Sequence, residues 1–348
     1  MNEAKLNEFM GKLVTDMGGA AMMASVILGE ELGLYRAMAD GDPTTPEQLA
    51  ERTRCNPRLI REWLSAQAAA GYVEASDGRF RLPAEQAMAL ANEDSPVYVA
   101  GGASVLASMF LDKDKVVAAM RGNGGLSWGE HHPCLFSGVE RFFRPGYRAH
   151  LIAGWLPALD GVVRKLEAGA TVADVGCGHG ASTVIMAQAF PASKFFGFDF
   201  HAPSIDTARE RAAKSGVADR TTFEVANAKG YPAHHYDLIC FFDCLHDMGD
   251  PVGAARHANQ MLAPDGTVLL VEPFAGDRLD DNATPIGRLY YAASTFLCTP
   301  NSLSQEVGLG LGAQAGEARL RDVFTEAGFT RFRRATETPF NLILEARK

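Results

Sequence analysis

The chain has no CxxC pair and no Cys/His spacing of the zinc type; its six cysteines, at 55, 134, 177, 240, 244 and 298, are scattered in mainly apolar contexts. Such cysteines read as reduced, buried thiols of a cytoplasmic protein, not as a disulfide framework or a structural metal site. Positive charge is also short. Lys and Arg number 33 against 42 Asp and Glu, a net charge of −9 with a pI near 5.5, which argues against attachment to nucleic acid by bulk electrostatics. No basic leader or cleavage pattern of a signal peptide opens the chain. The apolar run from Met17 to Leu28 is shorter than the roughly 20 residues of a membrane-spanning helix, and acids follow it at once. No membrane association is expected, and the run reads as a core or interface helix. What is present is ordinary for a soluble globular protein: 348 residues, 47% hydrophobic and 22% charged, enough for two domains with their own cores.

Two textures divide the chain. Up to about residue 165, apolar residues recur at helical spacing, as in Leu6, Phe9, Met10, Leu13, Val14 and Met17. In TTPEQLAERTR, Thr45 is placed to cap a helix, with Pro46 at its first position and Gln48 closing a capping box. In CNPRLIREWLSAQAAAGYV, Asn56 and Pro57 mark a second start and Gly71 a stop. VEASDGRFRL then holds two short β-like runs around Asp77-Gly78, a strong hairpin turn. Helix, helix and hairpin in that order make a winged helix, which serves either to bind DNA or to dimerise and dock. Between Asp40 and Glu85 there are six Arg, no Lys and eight acids, a net of −2. A phosphate-binding surface needs a basic footprint, so a homodimer is expected and nucleic acid is not.

Residues 96–165 read as a helical connector with one polar, aromatic cluster, LSWGEHHPCLFSGVERFFRPGY, which Gly and Pro break as they would a loop. His131 and His132 adjoin each other after Glu130. Adjacent histidines diverge, and no third ligand lies at a helical spacing, so a metal is not expected. A loop lining a pocket and a solvated turn remain as readings.

From residue 168 short apolar runs alternate with helical stretches. TVADV (171–175), KFFGFDF (194–200), TFEVANA (222–228), YDLICFFD (236–243) and TVLLVEPF (267–274) each read as a buried strand. The pattern predicts a parallel sheet covered on both faces, with its ligand at the carboxyl ends of the strands. FTRFRRATETPFNLILEARK offers a terminal antiparallel pair. The first strand ends in VADVGCGHG, with Asp174, Gly176, Gly178 and Gly180. Glycines at such a turn let the backbone approach a ligand closely, but the spacing is GxGxG, not the GxGxxG of dinucleotide binders. An acid beside the loop suits an ammonium group, and Asp199, ending the second strand, can accept both hydroxyls of a ribose.

DVGCGHG followed by that acid resembles a class I S-adenosylmethionine-dependent methyltransferase over about residues 168–348. The resemblance implies an α/β, Rossmann-like domain at 166–348 with a mostly parallel seven-stranded sheet and a terminal antiparallel hairpin. The whole layout is similar to small-molecule O-methyltransferases: a mainly helical winged-helix and dimerisation domain (1–95), a helical, pocket-lining linker (96–165), then the methyltransferase domain. By the same resemblance Asp174 and the loop Gly176–Gly180 border the methionine end of the cofactor, Asp199 takes the ribose and Phe200 packs on the adenine. Asn227, with Ala228 beside it, stands where an acid often receives the adenine amino group; a turn-capping role is the other reading of Asn227. Asp243, at the end of the fourth strand, is counted with the cofactor residues.

In that family a His-Asp or His-Asn pair follows the fourth strand and its His is the general base. Here the pair is His246-Asp247, in LHDM where the plant pattern has Trp in place of Met248. Glu272, at the end of the fifth strand, is the candidate to orient the imidazole. The plainer reading has His246 and Asp247 merely starting the next helix. The acceptor is expected to be a small aromatic or polyketide-like hydroxyl compound, with Tyr147, His131 and Tyr290 as candidate pocket residues. The glycine-containing insertion from Arg288 to Glu317, which lacks the GK[ST] of a phosphate loop, reads as a lid (296–316) or as a surface loop. A cofactor-responsive winged-helix regulator is the alternative function.

Overall fold

The computed structural model describes residues 1–122 and 124–348. The chain forms two compact units: Met1–Phe110 with Pro133–Gly146, and Leu111–His132 with Tyr147–Lys348. Residues 96–165 are divided between the two and form no third body.

In the first unit, the helix Glu3–Glu31 is capped by Asn2, whose side chain accepts the Lys5 amide. Leu6, Phe9, Met10, Leu13, Val14 and Met17 are 40–64% exposed, so the predicted stripe belongs to no core within the chain. The helix also outruns its apolar segment. Its most apolar 18 residues have a mean hydropathy of 1.2 and are only 11% buried, which is long and apolar enough to cross a membrane by length and composition.

The winged-helix signals act as expected. Thr45 Oγ1 accepts the Gln48 amide and Gln48 Oε1 accepts the Thr45 amide, capping the helix Pro46–Thr53 with roughly 1 kcal/mol. Asn56 caps Pro57–Ala69 through the amides of Arg58 and Leu59, and Gly71 follows with φ +74°. Strands β1 (Glu74–Ser76) and β2 (Arg79–Arg81) pair across Asp77 and Gly78, whose φ values of +49° and +73° suit a two-residue hairpin turn. Beneath them Leu34, Tyr35, Leu49, Ile60, Trp63 and Leu64 form a core, in which the Tyr35 hydroxyl donates to the buried Gln67 at 2.8 Å.

The second unit is a seven-stranded sheet: β3 (Thr171–Val175), β4 (Lys194–Asp199), β5 (Thr221–Val225), β6 (Tyr236–Phe242), β7 (Leu262–Pro273), β8 (Arg331–Glu337) and β9 (Asn341–Arg347). Their order is β5-β4-β3-β6-β7-β9-β8, parallel from β5 to β7, with β9 antiparallel to β7 and β8 antiparallel to β9. This is the predicted α/β class, down to the terminal hairpin. The central strands read as unbroken apolar runs because both faces are covered: Val268, Leu269, Leu270 and Val271 are all fully buried, each contributing roughly 1.5–3 kcal/mol by burial. From β3 the chain moves first to one side, β4, and later to the other, β6. That reversal opens a crevice at the carboxyl ends of β3 and β6, where Asp174 and Asp243 lie, with Asp199 and Glu272 at the same ends of the flanking β4 and β7.

Candidate active site

The loop after β3 is built by its glycines. Gly176, Gly178 and Gly180 have φ of +74°, +51° and +71°, a region costly for other residues. The amides of Gly176 and Cys177 donate to the Phe198 carbonyl at 2.7 and 3.1 Å, lashing the loop to β4. A Cβ at Gly176 would sit 2.8 Å from Cys244 Sγ and one at Gly180 2.9 Å from Ala208 and Phe223, whereas one at Gly178 meets nothing within 4 Å. Gly178 is therefore where a ligand can approach the backbone. Asp174 is buried at the root of the loop. Its Oδ2 accepts the hydroxyls of Ser182 and Thr183, both at 2.6 Å, from the helix Ala181–Ala189. Its Oδ1 has no partner among the described residues, and burial above all pushes its pKa up to about 6. A cation with N–H donors would supply both the missing bond and the missing charge.

Asp199 ends β4. Oδ2 accepts the Gly178 amide at 2.9 Å and Oδ1 the His201 amide at 2.8 Å. Each oxygen keeps a second lone pair for a hydroxyl, as a diol requires. Burial raises its pKa as well. Phe200 is 53% exposed, an open face for a planar ring. Asn227 uses Oδ1 to accept the Lys229 amide at 2.9 Å: the turn-capping geometry is present, with a lone pair to spare. Ala228 beside it is half-buried.

After β6 the chain turns at Asp243, whose φ of +51° is one that Asp tolerates better than most residues. Its Oδ1 accepts from Asn341 Nδ2 at 2.7 Å and its Oδ2 from the Tyr147 hydroxyl at 3.2 Å. Burial, then the charge of Glu272, lifts Asp243 to about 8, and burial lifts Asp247 to about 7. Leu245–Asp247 forms a single 3₁₀ turn. The next helix, Pro251–Met261, is capped by Asp250 through the Gly253 amide, so His246 and Asp247 do not start it. Instead His246, 4% exposed, places Nδ1 2.6 Å from Oε2 of Glu272, which is 1% exposed. Burial opposes a charged ring, but the Glu272 charge, helped by Cys298, outweighs it and holds the His246 pKa well above the ordinary histidine value.

The three candidate pocket residues fare differently. Tyr147 is on the site, through Asp243. Tyr290 is buried, but its hydroxyl donates to the Phe340 carbonyl at 3.0 Å and so is already engaged in holding the fold. His131 is buried and paired with Asp112 through Nδ1 at 3.1 Å; His132 gives its amide to the same carboxylate at 2.8 Å. The insertion between Arg288 and Glu317 is helical as far as Leu303 and irregular over residues 304–315, and the irregular part is tied to the His246 turn: Gly312 N–H donates to the His246 carbonyl at 3.2 Å and Leu309 N–H to that of Gly249 at 2.9 Å. Asp112, Ser182, Thr183 and Asn341 escaped sequence reasoning. Only the hydroxyl pair carried a signal, coming at the first turn of the helix after the glycine loop.

Residues 166–309 match a family described as a methyltransferase domain, and residues 18–92 match the Rv2258c-like winged HTH domain. Among curated proteins, 27-O-demethylrifamycin SV methyltransferase of Amycolatopsis mediterranei (strain S699) is 33% identical over 121 residues, 34% of this chain and 41% of that protein. The ubiquinone biosynthesis O-methyltransferase of Leptothrix cholodnii (strain ATCC 51168 / LMG 8142 / SP-6) is 31% identical over 135 residues, 38% of this chain and 54% of its own. The chain thus covers about half or less of the relatives it matches. Among solved structures, human N-acetylserotonin methyltransferase in complex with SAM superposes with a TM-score of 0.70 at 17% identity, covering 97% of both chains. The mitomycin 7-O-methyltransferase MmcR gives 0.69 at 21% identity, covering 100% of both. The chain thus carries a winged helix-turn-helix domain over residues 18–92 and a methyltransferase domain over residues 166–309.

Proposed function

We propose that the protein methylates a hydroxyl of a small aromatic or polyketide-like molecule, using S-adenosylmethionine as donor and His246 as general base. The observation that carries this reading is the buried His246–Glu272 pair beside a glycine loop whose acid, Asp174, has an oxygen without a partner among the described residues. Asp174 suits the ammonium of the donor's methionine end, Asp199 its ribose diol and Phe200 its adenine, with Asn227, Ala228 and Asp243 around them. The rifamycin relative, named as a 27-O-demethylrifamycin SV methyltransferase, points to a hydroxyl acceptor.

When bound, S-adenosylmethionine supplies a methyl carbon made electrophilic by a sulfonium. Everything else falls to the chain. Glu272 holds Nδ1 of His246 as a donor, so the acceptor's proton goes to Nε2, and the Cys298 thiol, which also hydrogen-bonds the ring, must yield to the acceptor. A phenol with a pKa near 10 is mostly protonated at neutral pH, and a positioned base is worth roughly 10²–10⁴-fold. The ring must be neutral to accept that proton, and a cation brought beside it lowers its pKa. The burial of His246 excludes water that would otherwise compete for the proton.

We infer also that the chain pairs with a second copy through the helix Glu3–Glu31, whose apolar stripe is exposed. Light scattering should give twice the chain mass, and Phe9→Glu with Val14→Glu should halve it; co-sedimentation with lipid vesicles would favour a membrane instead. A cytoplasmic location fits the six free cysteines and is checked by cell fractionation. The regulator reading draws little support from the winged helix, where Arg61 pairs with Glu47, Arg58 with Glu62 and Arg81 with Glu74.

The test is calorimetric titration with S-adenosylmethionine, S-adenosylhomocysteine and NAD, followed by labelled-methyl transfer to a panel of phenols and polyketides. Binding of both sulfur compounds but not NAD, with turnover abolished and binding retained in His246→Ala, is the expected result. No binding of either sulfur compound would sink the reading.

A further inference from the structure

A second histidine–carboxylate pair lies in the same unit. His131 and Asp112 are 3% and 1% exposed, and Nδ1 of His131 is 3.1 Å from Oδ2 of Asp112. Lys115 Nζ and the His132 amide, each at 2.8 Å, hold the Asp112 carboxylate as well. Burial works against charge on Asp112, but these donors outweigh it and keep its pKa low. Burial dominates at His131 and lowers the imidazole pKa. The ring is therefore neutral at neutral pH, its Nδ1 proton goes to the carboxylate, and Nε2 carries a lone pair. That Nε2 is buried and has no hydrogen-bond partner among the described residues. A buried acceptor left unsatisfied is a standing cost that a ligand can remove.

The position of this pair says which ligand. His131 ends a short strap that is pinned at several points. The Leu126 amide donates to the Pro300 carbonyl at 2.9 Å, and the Trp128 amide to Asn301 Oδ1 at 3.0 Å. Asn301 in turn donates from Nδ2 to the carbonyl of Asp247, the residue after His246, at 3.1 Å. At its other side the strap meets the end of β4, where a Cβ on Gly129 would lie 3.8 Å from Cδ2 of His201. One asparagine thus ties the strap to the His246 turn, while its 3₁₀ segment rests by the residues that follow Asp199.

We propose that Asp112–His131 is an acceptor-orienting pair, so that the natural acceptor is a molecule with two hydrogen-bond donors: the hydroxyl that gives its proton to His246, and a second hydroxyl or N–H that donates to Nε2 of His131. This rests on the methyltransferase reading above and narrows its substrate class from any hydroxyl compound to a bifunctional one. Asp112 is a positioning residue that selects the tautomer.

The probe is the full-length protein, labelled with ¹⁵N at histidine and saturated with S-adenosylhomocysteine. Phenol, catechol, resorcinol and hydroquinone are titrated in turn, so that the second hydroxyl is offered at three spacings. Imidazole resonances are assigned from His131→Gln and His246→Gln, each checked for unchanged affinity for S-adenosylhomocysteine. At least one dihydroxybenzene should move the Nε2 resonance of His131 together with the His246 ring on one binding curve. It should bind about five- to tenfold tighter than phenol, the usual net value of one added hydrogen bond, and lose that advantage in His131→Gln. Movement of His131 alone would support the second subsite and remove His246 as the base. Movement of His246 alone, or of neither ring, would overturn the proposal, the first of these leaving the base assignment standing.

Discussion

Glu272 fixes His246 twice over: Oε2 meets Nδ1 of the ring at 2.6 Å, and Oε1 accepts the amide of Leu245, one residue earlier, at 3.0 Å. One buried carboxylate thereby sets the backbone turn, the ring orientation and the tautomer. Removing it should disturb both the position and the basicity of the ring.

That relationship gives a pH dependence. Against burial, the Glu272 charge raises the His246 pKa above the ordinary value, and the ring must lose that proton before it can act as a base, so kcat/KM for the acceptor should climb as pH rises through the folded-state pKa. Glu272→Gln should move this limb down towards about 6.5 and lower the plateau roughly 10²-fold or more. The stability linkage runs the other way. The pair's stabilisation is complete below about pH 6.5, the unfolded-state value, and is lost as pH rises through the raised one. A rate profile with no ascending limb, or one that Glu272→Gln leaves unmoved, would remove His246 as the base.

A second dependence comes from the acids around it. Asp174, Asp247 and Asp243 are raised to about 6, 7 and 8. Each favours the protonated form in the folded state, so its contribution is present below the unfolded carboxyl value and lost as pH rises through these values. The melting temperature of the unliganded protein should therefore fall between about pH 5 and pH 9. The cationic S-adenosylmethionine should stabilise it more than neutral S-adenosylhomocysteine does, by a margin that widens with pH. Equal stabilisation by the two at every pH would show that Asp243 and Asp247 do not face the sulfonium.

Asp174→Asn keeps a side chain of the same shape beside Ser182 and Thr183 but removes the charge. The dissociation constant for both sulfur compounds should rise about tenfold to a hundredfold, the usual range for a lost charged hydrogen bond. The unliganded protein should melt no lower than before, because a buried acid has been neutralised. Calorimetry and a melting curve read the two separately, and unchanged affinity would show that Oδ1 faces no ligand.

The glycine loop offers a matched pair of substitutions. Gly180→Ala would press a methyl within 2.9 Å of Ala208 and Phe223 and should cost roughly 2–4 kcal/mol of stability. Gly178→Ala meets open space, so it should cost only about 1–2 kcal/mol for its positive φ while abolishing cofactor binding. A Gly178→Ala protein that binds normally would place the ligand elsewhere.

Much of this molecule was legible in the sequence by itself, and the reason is range. The Thr45–Gln48 box, the Asn56 cap, the Asp77-Gly78 turn and the glycine loop after β3 each depend on residues within a few positions of one another. Backbone geometry at that scale is decided by the side chains present. Alternating buried strands and amphipathic helices likewise announce a doubly covered parallel sheet. The N-terminal stripe shows where this ends: its periodicity predicted a helix correctly, but not that its apolar face would be left exposed by the rest of the chain. Only the tertiary structure decided the electrostatics of the site. Asp243 takes its partners from Tyr147 and Asn341, 96 and 98 positions away, and His246 finds Glu272 at a distance of 26. Those groups meet because strand order brings the ends of β6, β7 and β9 together. The protonation state of a buried acid or histidine depends on that convergence, since in a desolvated site the nearest charges outweigh anything that a residue's own neighbours in sequence supply.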